Sequence, residues 1–222
     1  MTLAGWTPRP VPGGRVLCGD RVQLEPLDWD VHGAGLFAAV AGPANAAIWA
    51  YMPIGPFDAL PQFRSVFEAV CEQAGWQTLV IRRLRDDLIV GMASYMRIRP
   101  EHGSAEIGCV AFGDALKRTP EATEAGYLMA ADLFDRLGYR RYEWKCHNDN
   151  AASRRAAARF GFRFEGVFRN DMVVRGKSRD TAWFAMTDVD WPAIRAGLQR
   201  WLAVDNFDAA GQQRRSLEAM RA

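Results

Sequence analysis

Apolar and polar residues alternate along RVQLEPL (21–27), where Val22 and Leu24 repeat with the period of two that predicts a strand. Asp28 stands where a helix N-cap is needed, and Val31, Leu36, Phe37 and Val40 follow at helical spacing. From Gly42 to Phe57 the periodicity stops, and glycines and prolines mix with Trp49, Tyr51 and Met52, which predicts an ordered aromatic loop. Asp58 is placed to cap a second helix with Phe63, Val66, Phe67 and Val70 on one face.

Strands are predicted at 78–84 and 88–96, joined through Arg85-Asp86-Asp87 as a hairpin, and a third at 104–112. A helix over 121–137 carries Ala125, Leu128, Met129, Leu133 and Leu137 on one stripe and closes at Gly138. A short strand (140–146) leads into an Ala-rich helix ending near Phe160. A hairpin (162–174 and 180–186) and an amphipathic helix with Ile194, Leu198, Trp201 and Leu202 follow, then a polar tail. This order predicts an α+β (α/β) fold: a mostly antiparallel twisted sheet with helices on both faces. The strand–helix–strand crossover between 104–112 and 140–146 supplies one parallel pair.

Composition narrows the function classes. Hydrophobic residues are 49% and charged residues 24%, an ordinary globular mix, and a net charge of +2 is too small for a dedicated nucleic-acid binder. The 4 cysteines (Cys18, Cys71, Cys109 and Cys146) form no CxxC pair, and the 3 histidines have no ligand partner at helical spacing, so no metal site is expected. A Cys146–His147 couple is not expected either, since neighbours on a strand face opposite ways. No run is long and apolar enough to span a bilayer, and the N-terminus lacks a signal-peptide pattern. The expectation is a cytoplasmic protein with an irregular arm (1–19), one domain (20–190) and a C-terminal helix and tail (191–222). No internal repeat or low-complexity block is present.

A parallel pair flanked by antiparallel neighbours is a topological switch, and ligands collect at the carboxyl ends of such strands. Strand 104–112 runs into GDALKRTPEAT and a helix N-terminus, whose free N–H groups and dipole suit a phosphate; Lys117 and Arg118 add positive charge, or are solvated loop residues. After the second parallel strand, Asn150 and Ser153 open a helix that Gly161-Phe162 follows, which also describes a plain helix cap.

Element order, the Glu106-Ile107-Gly108 triplet, the loop–helix after it, and the Asn150…Ser153…Gly161-Phe162 spacing together resemble the GNAT N-acetyltransferases over roughly residues 20–190. Within them the pattern is most similar to the branch containing the ribosomal-protein alanine N-acetyltransferases. The resemblance implies a GNAT fold with the parallel pair splayed around acetyl-CoA, no metal, and transfer to a primary amine in a ternary complex. The amine would belong to a protein N-terminus, an aminoacyl group or a small molecule.

It also implies cofactor-binding positions: main chain of Cys109, Val110 and Phe112 for the pantetheine arm, and Lys117, Arg118, Thr119, Ala122 and Thr123 for the pyrophosphate, with Asn150 and Ser153 across the cleft. Lys117 and Pro120 replace the Gln or Arg and the first glycine of the family's pyrophosphate turn. Pro120 lacks an N–H but is pre-organised for a first helical turn. The family tyrosine that protonates the leaving sulfur is here Ala157, which leaves Ser153 as the candidate proton donor.

Glu106 is the candidate general base, or a strand carboxylate paired with a nearby arginine. Trp49, Tyr51 and Met52 are expected to wall the acceptor pocket, with core packing as the alternative, and Arg175 and Lys177 to lie nearby. Pro120 and Ala157 keep open a non-catalytic acyl-CoA-binding module, and Arg154, Arg155 and Arg159 an RNA-associated one, although nucleic acid is not the expected partner. No membrane partner is expected, and the chain is expected to be a monomer or homodimer.

Overall fold

The computed structural model describes residues 3–221. Its sheet contains β1 (Leu17–Cys18), β2 (Val22–Pro26), β3 (Gln77–Arg83), β4 (Leu88–Arg99), β5 (Ser104–Phe112), β6 (Arg141–His147), β7 (Arg163–Val174) and β8 (Lys177–Thr187). The spatial order is β1-β2-β3-β4-β5-β6-β8-β7, and of the pairs only β5–β6 is parallel. The helices are α1 (Trp29–Val40), α2 (Leu60–Ala74), α3 (Pro120–Ala131), α4 (Ala151–Phe160), α5 (Trp191–Leu202) and α6 (Leu217–Arg221). The predicted α+β class, element order and single parallel pair hold, while β1 adds a short strand at the end of the arm expected to be irregular.

Period-two alternation divides the strands between two cores. Leu79 and Ile81 point to one face, where they join Ala125, Met129 and Leu133 of the α3 region and Ile194 and Leu198 of α5. Val80 and Met92 point to the other, where Leu36 and Val40 of α1 and Phe63 and Phe67 of α2 cover them. Burying a large apolar side chain contributes about 1.5–3 kcal/mol, so each face supplies its own anchor for the sheet. A buried carboxylate ties the first strands to α3: Glu124 accepts from the N–H groups of Asp20, Arg21 and Val22 at 3.2, 2.7 and 2.8 Å.

Several local expectations change. Asp28 caps α1 as predicted, accepting from the N–H groups of Asp30 and Val31, but Val31 itself is exposed. Asp58 does not cap α2, whose N-cap is Ala59 with no side-chain bond; Pro61 in the first turn starts that helix instead. Within the expected loop, residues 43–49 form a 3-10 helix. The long predicted helix is α3 followed by a π-helical turn over residues 132–136. The closing hairpin turns on Arg175-Gly176 alone, both with positive φ, as a tight two-residue connection requires.

The C-terminal tail is structured rather than simply polar. Leu217 is buried, and Asn206 ties the segment together by accepting from Arg215 N and donating to Trp201 O, both at 3.0 Å. Trp201 packs within its own chain against Phe207. Among the described residues no single helix is long and apolar enough to cross a membrane. The bent pair α1 plus 43–49 passes on length and composition, and its Leu36, Val40 and Trp49 are buried in the second core.

Candidate active site

The parallel ladder between β5 and β6 runs from Ser104↔Arg141 to Ile107↔Trp144 and ends there. Beyond that point β6 stays paired with β8 as far as His147↔Thr181, while β5 stays paired with β4 as far as Phe112↔Gly91. The two strands are pulled apart by their outer neighbours. A bulge sets where this begins: Ser94 faces Gly108 but Met92 faces Ala111, and Cys109 takes up the extra length at φ +46°. A second non-glycine residue, Arg97, is held at φ +44° at the other β4 bulge. Strained backbone of this kind persists where surrounding structure enforces it.

The wedge opens into a cavity of about 1000 Å³. Cys109, Val110 and Phe112 line it from β5, and Cys146 and His147 from β6. Main-chain groups of β5 past Ile107 have no β6 partner, so the strand edge is free to pair with an extended ligand.

At one end the wall is the α3 N-terminus. Thr119 caps it, its hydroxyl accepting from Ala122 N at 3.3 Å and donating to Leu116 O at 2.7 Å. Pro120 occupies the first helical position, so its missing N–H interrupts no intrahelical bond. The N–H of Ala122 is committed to that cap, and an N–H at Thr123 points along the helix toward Thr119. Free donors in the turn therefore lie at Arg118, Thr119 and Glu121. Arg118 adopts φ +63°, and Glu121 turns away to pair with Arg85 at 3.3 Å.

Lys117 lines the cavity while paired with Asp114 at 2.7 Å; Arg118 and Arg155 line it with no carboxylate partner among the described residues. Arg159 donates to Thr123 Oγ1 at 3.0 Å and lies over the Trp201 ring at 4.9 Å, so it belongs to this end rather than to a solvated face. Arg154 instead turns to Asn148 and Phe164, which breaks up the three-arginine stripe. Trp201, Phe207 and Gln213 complete the wall from the C-terminal segment, which sequence reasoning missed.

Glu106 faces the same cavity from the last paired turns of β5 and is 2% exposed. Burial pushes its carboxyl up to about 7, against the opposing pull of Lys145 Nζ at 3.3 Å and Arg97 Nε at 3.7 Å. Both cations also lie over the Trp183 ring. Gly108 keeps this pocket open: a Cβ there would collide with Met96 Sδ and lie 3.0 Å from Glu106 Oε1.

Across the wedge Asn150 is the cap of α4, accepting from Ser153 N at 3.0 Å, and also lines the cavity. The Ser153 hydroxyl accepts from Trp144 Nε1 at 2.9 Å, which leaves its own proton to donate, with the Cys146 sulfur as the neighbouring protein acceptor and the cavity beside it. Ala157 is fully buried. Burial pushes the thiols of Cys109 and Cys146 above the ordinary range, so both stay protonated and unreactive.

At the other end Tyr51 and Met52 line the cavity, with the Tyr51 ring 5.3 Å from that of His147. Trp49 does not. It is fully buried in the second core, stacks edge-on with Phe57 and donates to Val40 O at 2.7 Å. A lone tryptophan in a loop has two ways to hide its indole N–H, and here it found a helix C-terminus. Arg175 reaches the carbonyls of Met52 and Gly55 and so fastens the hairpin to this loop. Lys145, His147 and Arg179 line the cavity too; strand register across β6 and β8 is the signal that could have found them.

The acetyltransferase (GNAT) domain profile matches residues 21–163. The chain belongs to the GNAT acetyltransferase family. A GCN5-related N-acetyltransferase from Brucella melitensis is 43% identical over 99% of both chains, with a TM-score of 0.94. A probable acetyltransferase of the GNAT family from Chromobacterium violaceum is 40% identical over 86% of this chain and 96% of its own, with a TM-score of 0.80. The Salmonella typhimurium acetyltransferase that modifies the N-terminal serine of ribosomal protein L7/L12 shares the fold at 18% identity and a TM-score of 0.67, covering 78% of this chain and 99% of its own. No curated protein matches.

GNAT domains use acetyl-CoA, and this cavity suits it: a free strand edge, a capped helix N-terminus and unpaired arginines lie in the order of pantetheine and phosphates. Among the described residues no cluster that could hold a metal ion is present.

Proposed function

We propose that this acetyltransferase moves the acetyl group of acetyl-CoA directly to a primary amine in a ternary complex, with Glu106 as general base and Ser153 as proton donor. The observation that carries the reading is the buried Glu106 carboxyl, pushed up to about 7 and facing the gap where β5 and β6 part. An alkylamine is mostly protonated at neutral pH and must lose that proton before attack. A base with pKa near 7 is half ionised at neutral pH and strong enough to accept the proton, directly or through a water.

The remaining roles follow from position. The main-chain N–H of Val110, beside the bulge, is available to the thioester carbonyl oxygen as charge develops on it. Main chain of Cys109, Val110 and Phe112 pairs with the pantetheine arm. Arg118 and the N–H groups of Thr119 and Glu121 take the pyrophosphate, with Lys117, Ala122 and Thr123 shaping the turn. Asn150 holds the α4 N-terminus and with it Ser153, whose hydroxyl faces the leaving sulfur. The neutral thiols of Cys109 and Cys146 support direct transfer over an acyl-cysteine route.

Tyr51 and Met52 wall the acceptor side. A peptide N-terminus, as in the ribosomal-protein branch, or a small amine fits that space. The free thiols suit a reducing compartment such as the cytoplasm.

Two measurements test the reading together: calorimetry with acetyl-CoA, and thiol release across a panel of amines and peptide N-termini. Binding with amine-dependent thiol release is expected. Absence of binding at millimolar acetyl-CoA contradicts the reading, and binding without release for any amine turns it into the acyl-CoA-sensing alternative.

A further inference from the structure

Arg179 stands apart among the cations of the cavity. It lies on β8 at 6% exposure, lines the acceptor end, and its Nε is buried without any hydrogen-bond partner. Its one hydrogen bond among the described residues is a long one, from Nη1 to Tyr51 O at 3.3 Å. Among the described residues no carboxylate pairs with it; Arg118 and Arg155 share that property but are exposed, whereas Lys145 and Arg97 share Glu106 and Arg175 is spent on the carbonyls of Met52 and Gly55.

Placement gives this cation a target. Thr181 pairs with His147 at the mouth of the wedge, and Arg179 is two residues further along β8 on the same face, roughly 7 Å away. A buried guanidinium without a counter-charge is unfavourable, and its fork geometry matches a carboxylate with two parallel N–H donors. The residues lining the acceptor end include one carboxyl, Glu106, against Lys145 and Arg179, and Arg97 approaches that carboxyl from outside the lining, so an amine bearing no negative charge enters against the field. Met52, Ile54 and Met172 add apolar surface around it.

We propose that Arg179 binds a carboxylate on the acceptor, and that the acceptor is therefore a carboxylate-bearing amine with an apolar body, of the amino-acid class. The amine half of this inference rests on the acetyl-transfer reading above; the carboxylate half does not.

The test uses matched pairs: L-phenylalanine with L-phenylalaninamide, and 6-aminohexanoate with 6-aminohexanamide. Each is titrated into the coenzyme A-loaded protein with the melting temperature as readout, and separately assayed for thiol release from acetyl-CoA. In the native protein at least one carboxylate raises the melting temperature and its amide does not. In Arg179→Gln that difference disappears, and kcat/KM for the carboxylate falls at least about tenfold while the amide is little changed. Arg179→Lys keeps the charge without the fork, so the preference shrinks without vanishing; it carries the comparison if Arg179→Gln does not fold. Equal responses to acid and amide, a carboxylate preference that survives in Arg179→Gln, or no response to either carboxylate overturns the proposal. Stabilisation by carboxylates without thiol release upholds the anion site alone, and together with absent release across the amine panel defeats the acetyl-transfer reading.

Discussion

Glu106 shows what a single residue owes to its surroundings. As a strand carboxylate in sequence it could have been a base or half of an ion pair; in the structure two cations flank it while burial still raises its carboxyl, because burial and the cations act in opposite directions. If it accepts the amine proton, kcat/KM for the acceptor rises with pH through an inflection near the raised value of about 7. Glu106→Gln loses that inflection and about 10²-fold in rate, read from a pH–rate profile.

Stability has the opposite sign. The folded carboxyl holds its proton more tightly than the unfolded one, so the stability it confers is full below 4.5 and is lost as pH rises toward about 7. That loss is at most about 3 kcal/mol, and Glu106→Gln removes it from a pH series of denaturant melts. Ser153→Ala is expected to lower kcat about tenfold, at the low end for a proton donor because a thiolate leaves readily. Unchanged turnover would remove Ser153 from the mechanism.

At the scale of elements, the helix and strand pattern was legible because period and capping residues agree with the packing, as at Asp28 and along β3. Asp58 and Val31 were misread for different reasons: α2 starts one residue later, with Pro61 in its first turn, and at Val31 spacing alone does not say which face a neighbouring element will cover. The parallel pair was legible as topology, and its splay only through the family resemblance. Its physical origin, a bulge at Cys109 and two outer strands that keep their own registers, needs partners no local pattern names.

Asn150 both caps α4 and lines the cavity, so the cap reading does not compete with the proposed cofactor-binding one. Pro120 is the departure that looked most damaging, yet the helix accepts it at the first position. Its cost is a single missing donor. Pro120→Ala restores an N–H there and is expected to tighten acetyl-CoA severalfold by calorimetry, while lowering stability by about 0.4–1 kcal/mol as the unfolded chain gains freedom. Weaker binding in that variant would show that the proline ring itself holds the turn.

For the whole molecule, what the sequence withheld is long-range. Trp49 and Tyr51 are two residues apart in one loop, yet one is sealed in the second core and the other lines the cavity. Arg179 reached the acceptor end through a hairpin, and the tail returned to wall the other end with Trp201, Phe207 and Gln213. A chain ending at Ala203 keeps the wedge but loses Phe207 and Gln213; it is expected to bind coenzyme A more weakly while binding an acetylated pantetheine as the full chain does, by calorimetry. The most direct measurement on the account as a whole is a crystal structure with coenzyme A. Its pantetheine arm is expected along Cys109–Phe112 between β5 and β6, with the pyrophosphate at Arg118–Glu121. Coenzyme density elsewhere, or those strands closed past Ile107 and Trp144, would contradict it.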